Sequence, residues 1–236
     1  MLLSNDPTHK ELFDYFHSGR KLQFAKGEII LRAGDEPRGV YLIESGYMKV
    51  YSLAKDGTEH THIIYEPGDI FPVIWIFKDA IRNVYYQATS LLTVWVVPKD
   101  EFKQFVSGNS ETAMLLLEQV TDMFRMYAGR IDNLMYSNSY ERTAYRLLSL
   151  MDRLGEEEHA LWVINAPVTH QDIASSVNLT RETVSRCMQR LKSKDLVDTD
   201  EHHRIIIKDV AGLMKIIGYD EAIGMWPQLA EYAPTA

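Results

Sequence analysis

The sequence predicts an α+β chain in three parts: an N-terminal antiparallel β-roll or jelly roll, one long helix, and a C-terminal unit of short helices with a β-hairpin. Three observations predict it. From Lys21 to about Val97 the text is dense in Val, Ile, Tyr and Phe and is cut at Gly27, Gly34, Gly39, Gly46, Gly57 and Gly68, the pattern of short strands joined by turns. From Ser110 to Tyr136 no proline intervenes, the first glycine is Gly129, and apolar residues recur at steps of three and four. From Thr169 onward, helix-capping signals open two short segments of helical period. At 236 residues and 46% apolar composition, the chain has ample material for packed cores.

In the first part, residues 1–109, Val40-Tyr41-Leu42-Ile43 and Tyr47-Met48-Lys49-Val50-Tyr51 flank Glu44-Ser45-Gly46, which reads as a hairpin. Asp56-Gly57 marks a second, because glycine tolerates the positive φ that tight hairpin turns need. His60 and His62, two apart, fall on one strand face, either as a pair able to ligate a metal or as a solvent-facing hairpin edge.

In the second part, residues 110–137, Leu117, Val120, Phe124, Tyr127, Ile131 and Leu134 average 3.5 residues apart and keep one seam facing a partner, as a coiled-coil dimer requires. The same periodicity fits a helix packed on its own sheet. Leu115, Leu116, Met123, Met126 and Met135 widen the stripe, so that the helix can serve both.

The third part, residues 138–236, starts with a helix from about Ser139 to Leu154 closed by Gly155, followed by Glu156-Glu157-Glu158-His159, expected as a solvated turn. Thr169-His170-Gln171-Asp172 has capping-box spacing, with Ile173, Ala174 and Val177 on one helical face. Asn178-Leu179 breaks the period, and Thr180 caps a second helix to about Lys192. There Val184, Met188 and Leu191 take one side, and Arg181, Glu182, Ser185, Arg186 and Gln189 the other. A short helix, a tight turn and a second helix with a polar outer face predict a helix-turn-helix. Leu196-Val197-Asp198 and Arg204-Ile205-Ile206-Ile207 predict a β-hairpin placed as a wing. Asp209 to Ile217 fits one more short helix, and Ile223, Met225, Trp226 and Leu229 suggest a docked extension.

Charge narrows the function. The chain carries a formal −8, yet residues 178–194 hold five basic residues against Glu182, a local +4 that would turn one face toward a polyanion. On that face Arg suits guanine O6 and N7, Glu suits cytosine N4, and Ser bonds either way. Thr169, Thr180, Thr183, Lys192, Lys194 and Arg204 are the candidate phosphate contacts. An ordinary surface helix laced with salt bridges is the bland alternative. The sole cysteine, Cys187, excludes intramolecular disulfides and four-cysteine metal sites and is expected as a small core residue. No apolar run approaches the ~20 residues of a membrane span. The start mixes Asp6, His9, Lys10, Glu11 and Asp14 among its apolar residues, unlike a signal peptide, which makes the cytoplasm the expected location. No catalytic order or phosphate-cradling loop stands out, and no cofactor is expected.

The β-roll text Phe24-Ala25-Lys26-Gly27-Glu28, Gly34-Asp35, Val40 to Gly46 and Pro67-Gly68-Asp69-Ile70-Phe71, together with Thr180-Arg181-Glu182-Thr183-Val184-Ser185-Arg186, resembles the Crp/Fnr family of bacterial transcription regulators over about Leu22 to Lys208. The resemblance implies a homodimer that binds double-stranded DNA at an inverted repeat and works with RNA polymerase. It assigns base reading to Arg181, Glu182, Ser185 and Arg186, with Gln189 on the same face. It also implies control through the angle between dimer helix and DNA-binding domain, with a hinge near Tyr136 to Ser139. Where cyclic-AMP-binding members carry Gly-Glu, this chain has Pro72-Val73. At their Arg-Ser it has Arg82-Asn83, and at their adenine-contacting hydroxyl pair it has Tyr127-Ala128, so an effector other than cyclic AMP is expected. Trp75, Arg82, Asn83, Tyr85 and Tyr127 are the candidate pocket, with Tyr86 beside them, as an aromatic cage for a planar acid or as plain core. The family's N-terminal cluster of cysteines for iron and sulfur is absent. A sensor module acting on a partner protein is the rival reading, and it has no need of a winged helix.

Overall fold

The computed structural model describes residues 7–233 of the chain; Asp6 and the side chains of His9 and Ile223 lie outside the described residues. Two compact units divide at residue 123, and each is built around its own sheets. The first begins with helix α1 (Pro7–His17), followed by eight strands: β1 (Arg20–Phe24), β2 (Ile29–Leu31), β3 (Val40–Ser45), β4 (Met48–Leu53), β5 (Glu59–Tyr65), β6 (Ile70–Phe71), β7 (Tyr85–Ala88) and β8 (Leu92–Val97). Helix α2 (Val73–Lys78) lies between β6 and β7, and α3 (Lys99–Gly108) follows β8. The strands form two four-stranded antiparallel sheets, ordered β1-β8-β3-β6 and β2-β7-β4-β5. This is the expected β-roll.

The expected hairpin across Glu44-Ser45-Gly46 does not form. Strand β3 pairs with β6 and β8, whereas β4 pairs with β5 and β7, so the chain passes from one sheet to the other at that point. Gly46 makes the passage: its φ is +86°, and a Cβ there would sit 2.1 Å from the Leu91 carbonyl oxygen. The Asp56-Gly57 turn does join a hairpin, β4 to β5, with Gly57 at φ +84° and the Asp56 carboxylate accepting from Thr58 N. His60 and His62 sit half-buried on β5, the outer strand of its sheet, and His62 Nε2 lies 3.0 Å from Ser52 Oγ. No group of three or more metal-ligating residues occurs among the described residues.

Helix α4 (Ser110–Tyr136) is the long helix. In the first unit it faces the core through Leu116, which packs with Leu12, Phe16, Val40, Leu42, Trp75, Ile76 and Phe102. Gln119 is buried because its amide serves as a surrogate strand: Oε1 accepts from Ile70 N at 3.1 Å and Nε2 donates to Ile70 O at 2.8 Å.

In the second unit, α4 ends at Tyr136 and α5 (Ser139–Leu154) starts after a two-residue break. Asn138 caps α5 reciprocally with Glu141. Arg142 reaches back to the α4 end, donating to the Leu134 and Ser137 carbonyls at 2.8 and 2.9 Å. Residues 156–158, expected as a solvated turn, instead belong to strand β9 (Gly155–Glu158), paired with β10 (Leu161–Ile164). His159 and Ala160 connect them with φ of +53° and +62°, the backbone of a tight hairpin turn written without the usual Asn or Gly. Helices α6 (His170–Ser176) and α7 (Arg181–Ser193) follow, and then β11 (Val197–Thr199), β12 (Ile205–Ile207) and α8 (Val210–Ile217), the last capped by Asp209. The expected wing hairpin is β11-β12, extended by β10 and β9 into one four-stranded sheet.

The tail forms α9 (Tyr219–Met225) and a 3-10 helix (Pro227–Tyr232). It is docked: Trp226 and Leu229 are buried, Trp226 packs on Tyr145 at 5.1 Å between ring centroids, and Trp162 Nε1 donates to Tyr232 Oη. No helix among the described residues is long and apolar enough to cross a membrane.

Candidate nucleic-acid interface and sensor cleft

Local chemistry builds the C-terminal site. The Thr169 hydroxyl accepts from Asp172 N at 3.1 Å while the Asp172 carboxylate accepts from Thr169 N at 3.0 Å, which fixes the start of α6. Asn178 takes φ +53° to turn the chain, and Thr180 Oγ1 accepts from Thr183 N at 3.2 Å to open α7. One side of α7 is then buried through Val184, Cys187, Met188 and Leu191. Arg181, Glu182, Arg186 and Gln189 are exposed on the other, beside half-buried Ser185. The helical period and a single apolar face leave these groups no place except the surface.

Each candidate has a definite partner or none. Arg186 Nη2 donates to Thr183 Oγ1 at 3.3 Å, and Thr183 Oγ1 lies 3.0 Å from Thr180 Oγ1. Ser185 Oγ lies 2.9 Å from Nδ1 of His170, the first residue of α6. The Arg190 guanidinium and the Lys194 ammonium lie over the Tyr140 ring, at 4.2 and 5.5 Å from its centroid. Lys192 pairs with Asp198 at 2.5 Å between exposed side chains, a contact that water or another anion exchanges readily. The Cys187 thiol is buried and donates to the Ser139 carbonyl at 3.7 Å, the core role expected of it.

Arg204 is differently placed. Its Nε donates to Asp200 at 2.6 Å, and Nη1 donates to Glu158 at 3.1 Å and Asn165 at 2.8 Å. The guanidinium thereby closes the wing onto β9 and β10. Asp200 and Glu158 raise its proton affinity further, chiefly by accepting its hydrogen bonds. Neither Asn165 nor Asp200 drew notice in the sequence; an Asp-x-x-x-Arg spacing across a turn was the available signal.

In the first unit, Trp75, Arg82 and Tyr86 meet at one cleft with Arg32, Asp35, Tyr65, Pro72 and Val73. Arg32 and Arg82 form no ion pair among the described residues. The cleft has about 30 Å³ of free volume, room for a water or two. Asn83 and Tyr85 do not line it. Successive strand residues point to opposite faces, so Tyr85 turns away from Tyr86 and stacks on Tyr51 at 5.3 Å. Trp75 is also core, with the Lys99 ammonium 4.1 Å from its centroid. Tyr127 belongs to the second unit, where the Arg130 guanidinium lies over its ring.

Along α4 the seam is largely open: Leu117 is 56% exposed, Val120 40%, Phe124 73% and Ile131 58%, with Tyr127 and Leu134 half-buried. Exposed Met114 and Met135 extend it at both ends.

Comparison with known proteins agrees with this architecture. Residues 21–109 match the family model of the cyclic nucleotide-binding domain, and residues 141–216 that of the Crp-like helix-turn-helix domain. The CRP-like cAMP-activated global transcriptional regulator of Mycobacterium tuberculosis is 26% identical over 189 residues, spanning 76% of this chain and 84% of that protein. Among solved structures, a CooA mutant from Carboxydothermus hydrogenoformans has TM-score 0.74 at 20% identity, covering 92% of this chain and 98% of its own. FixK2 from Bradyrhizobium japonicum has TM-score 0.71 at 22% identity, covering 85% and 98%. With a sensor-type β-roll, a long helix and a Crp-like helix-turn-helix in that order, the chain belongs to the Crp/Fnr family, whose members are DNA-binding transcription regulators and not enzymes.

Proposed function

We propose that the chain acts as a homodimer on an inverted-repeat operator, with α7 in the major groove of each half-site. The observation that carries this reading is the exposed row Arg181, Glu182, Arg186 and Gln189 opposite a buried apolar face. Bidentate Arg and Gln donors and a Glu acceptor match the edges that bases present there. Thr169, Thr180, Thr183, Lys192 and Lys194 surround that row and set its register on the phosphates. Arg204 joins them from the wing: three of its five N–H donors go to Asp200, Glu158 and Asn165, and Nη2 keeps two for a phosphate.

Two copies pair through the α4 seam, whose exposed Leu117, Phe124 and Ile131 are otherwise an unexplained apolar stripe in water. Two α7 helices then sit about one helical turn of DNA apart, ~34–36 Å. The working division is a sensor at 1–109, a dimer helix at 110–137 and a DNA-binding domain with its extension at 138–236. RNA polymerase is the downstream partner.

The sensor takes an anionic effector other than cyclic AMP. Arg32 and Arg82 outweigh Asp35, the one carboxylate lining the cleft among the described residues, and Pro72-Val73 stands where cyclic-AMP-binding members carry the Glu for the ribose hydroxyl. A ligand of nucleotide size has to open the cleft first, since pockets that bury drug-sized ligands hold roughly 300–1,000 Å³. The test is selection of bound DNA from a random pool with purified protein and no effector. Recovery of a palindrome supports the reading and a constitutively active protein. A palindrome recovered only after small-molecule addition supports control by effector, and no enrichment under either condition refutes DNA reading.

A further inference from the structure

The helix-turn-helix carries one polar contact that its fold does not require. His170 occupies the first turn of α6, where Thr169 and Asp172 already complete the cap. Its imidazole is half-buried and turns toward the neighbouring helix, where Nδ1 lies 2.9 Å from Ser185 Oγ. Ser185 lies one helical turn beyond Arg181 and Glu182, next to Arg186, within the proposed base-reading row. A serine hydroxyl is ambiguous as a reader, because it can donate to guanine or thymine and accept from adenine or cytosine. A fixed partner removes that ambiguity.

From this geometry we infer that His170 is a positioning residue for base readout: its Nδ1 accepts the Ser185 hydroxyl proton, leaving the Ser185 lone pairs to accept from an exocyclic amine, adenine N6 or cytosine N4. The imidazole nitrogen is the stronger acceptor of the pair, and the hydroxyl hydrogen rotates to suit it. The bond also holds the Ser185 χ1 rotamer, so that ordering entropy is not charged to DNA binding. Burial and the nearby Arg181 charge both favour the neutral imidazole, the form with a free ring nitrogen. The inference rests on α7 being the reading helix.

Random-pool selection followed by binding titrations tests it, with wild type, Ser185→Ala, His170→Ala and His170→Asn. Ser185→Ala identifies the base pair that Ser185 reads, as the single position where base preference disappears. His170→Ala is expected to relax preference at that same position by about fivefold, the worth of one hydrogen bond, with the other positions unchanged. Adding it to Ser185→Ala is expected to do nothing more. In His170→Asn, Oδ1 stands near the place of Nδ1 and restores acceptance, so the preference returns. This rescue also separates positioning from mere loss of fold, which thermal melts of each variant monitor.

The inference is overturned by an unchanged motif in His170→Ala or by uniform weakening on every sequence. A wild-type protein that selects no motif fails earlier, at the reading of α7, and takes the inference down with it.

Discussion

Arg125 and Asp152 join helices α4 and α5 within the second unit, Nη2 to Oδ2 at 3.2 Å, and the C-terminal tail closes on both of them. Arg125 Nη1 donates to the Met225 carbonyl at 2.8 Å, and Gln228 donates to the other oxygen of Asp152. Gly129 leaves the room: a Cβ there would meet Tyr145 Oη at 2.3 Å and Met225 Sδ at 2.5 Å. The tail therefore ties the end of the long helix to the helix that starts the DNA-binding domain.

Trp226 is the anchor of that tie, 4% exposed and packed on Tyr145. Trp226→Ala should destabilise the second unit by about 3–5 kcal/mol, from lost burial and the cavity left behind. Thermal melts followed by circular dichroism check it; a loss below about 1 kcal/mol would mean that the tail is dispensable to the fold.

Phe124 is the most exposed residue of the α4 seam. Phe124→Glu should leave the monomer folded, because the side chain buries almost nothing there, and should shift sedimentation from dimer to monomer. Affinity for a palindrome should fall with it, since two linked half-sites bind more tightly than separate ones. A dimer that persists would place the interface elsewhere.

Arg186 and Arg204 should separate by assay. Arg186→Ala should cost ~1–3 kcal/mol at the preferred site and relax base preference there. Arg204→Ala should lower the melting temperature, through loss of the wing's hydrogen bonds to Asp200, Glu158 and Asn165, and leave base preference intact. Lys194→Ala should flatten the salt dependence of log K by about one unit. Titrations at several salt concentrations distinguish the three.

His170 gives the protein a pH signature. Burial, and next the Arg181 charge, hold its proton affinity below the ordinary imidazole value of 6.5. The folded state therefore binds fewer protons than the unfolded chain in this range. The associated stability is complete above about 6.5 and is lost as pH falls toward the lower folded value. Melting curves from pH 8 to 5 should show wild type losing more stability than His170→Gln; parallel losses would contradict the sign.

Some of this was legible in the residues alone, because its causes act within one or two turns of chain. Thr169, Asp172 and Thr180 mark helix starts by capping their own backbone, and the period of Val184, Met188 and Leu191 sets which side of α7 faces inward. The apolar spacing of α4 likewise predicts one stripe along the helix, and Leu117, Val120, Phe124 and Ile131 lie exposed along it. Other features depend on pairings far apart in sequence. Glu44-Ser45-Gly46 reads like a hairpin loop, but the competing partners Leu92–Val97 and Tyr85–Ala88 draw β3 and β4 into different sheets. Glu156-Glu157-Glu158 is charged enough for a loop, yet Leu161–Ile164 recruits it as a strand by backbone hydrogen bonds, which ignore side-chain polarity. Arg204 looked free until folding brought Glu158 and Asn165 to it, and His170 gained its meaning only when α6 packed on α7. Local composition determined which elements exist and which faces are wet; long-range pairing decided which polar groups remain available, since a donor's role depends on the acceptors that the fold carries to it.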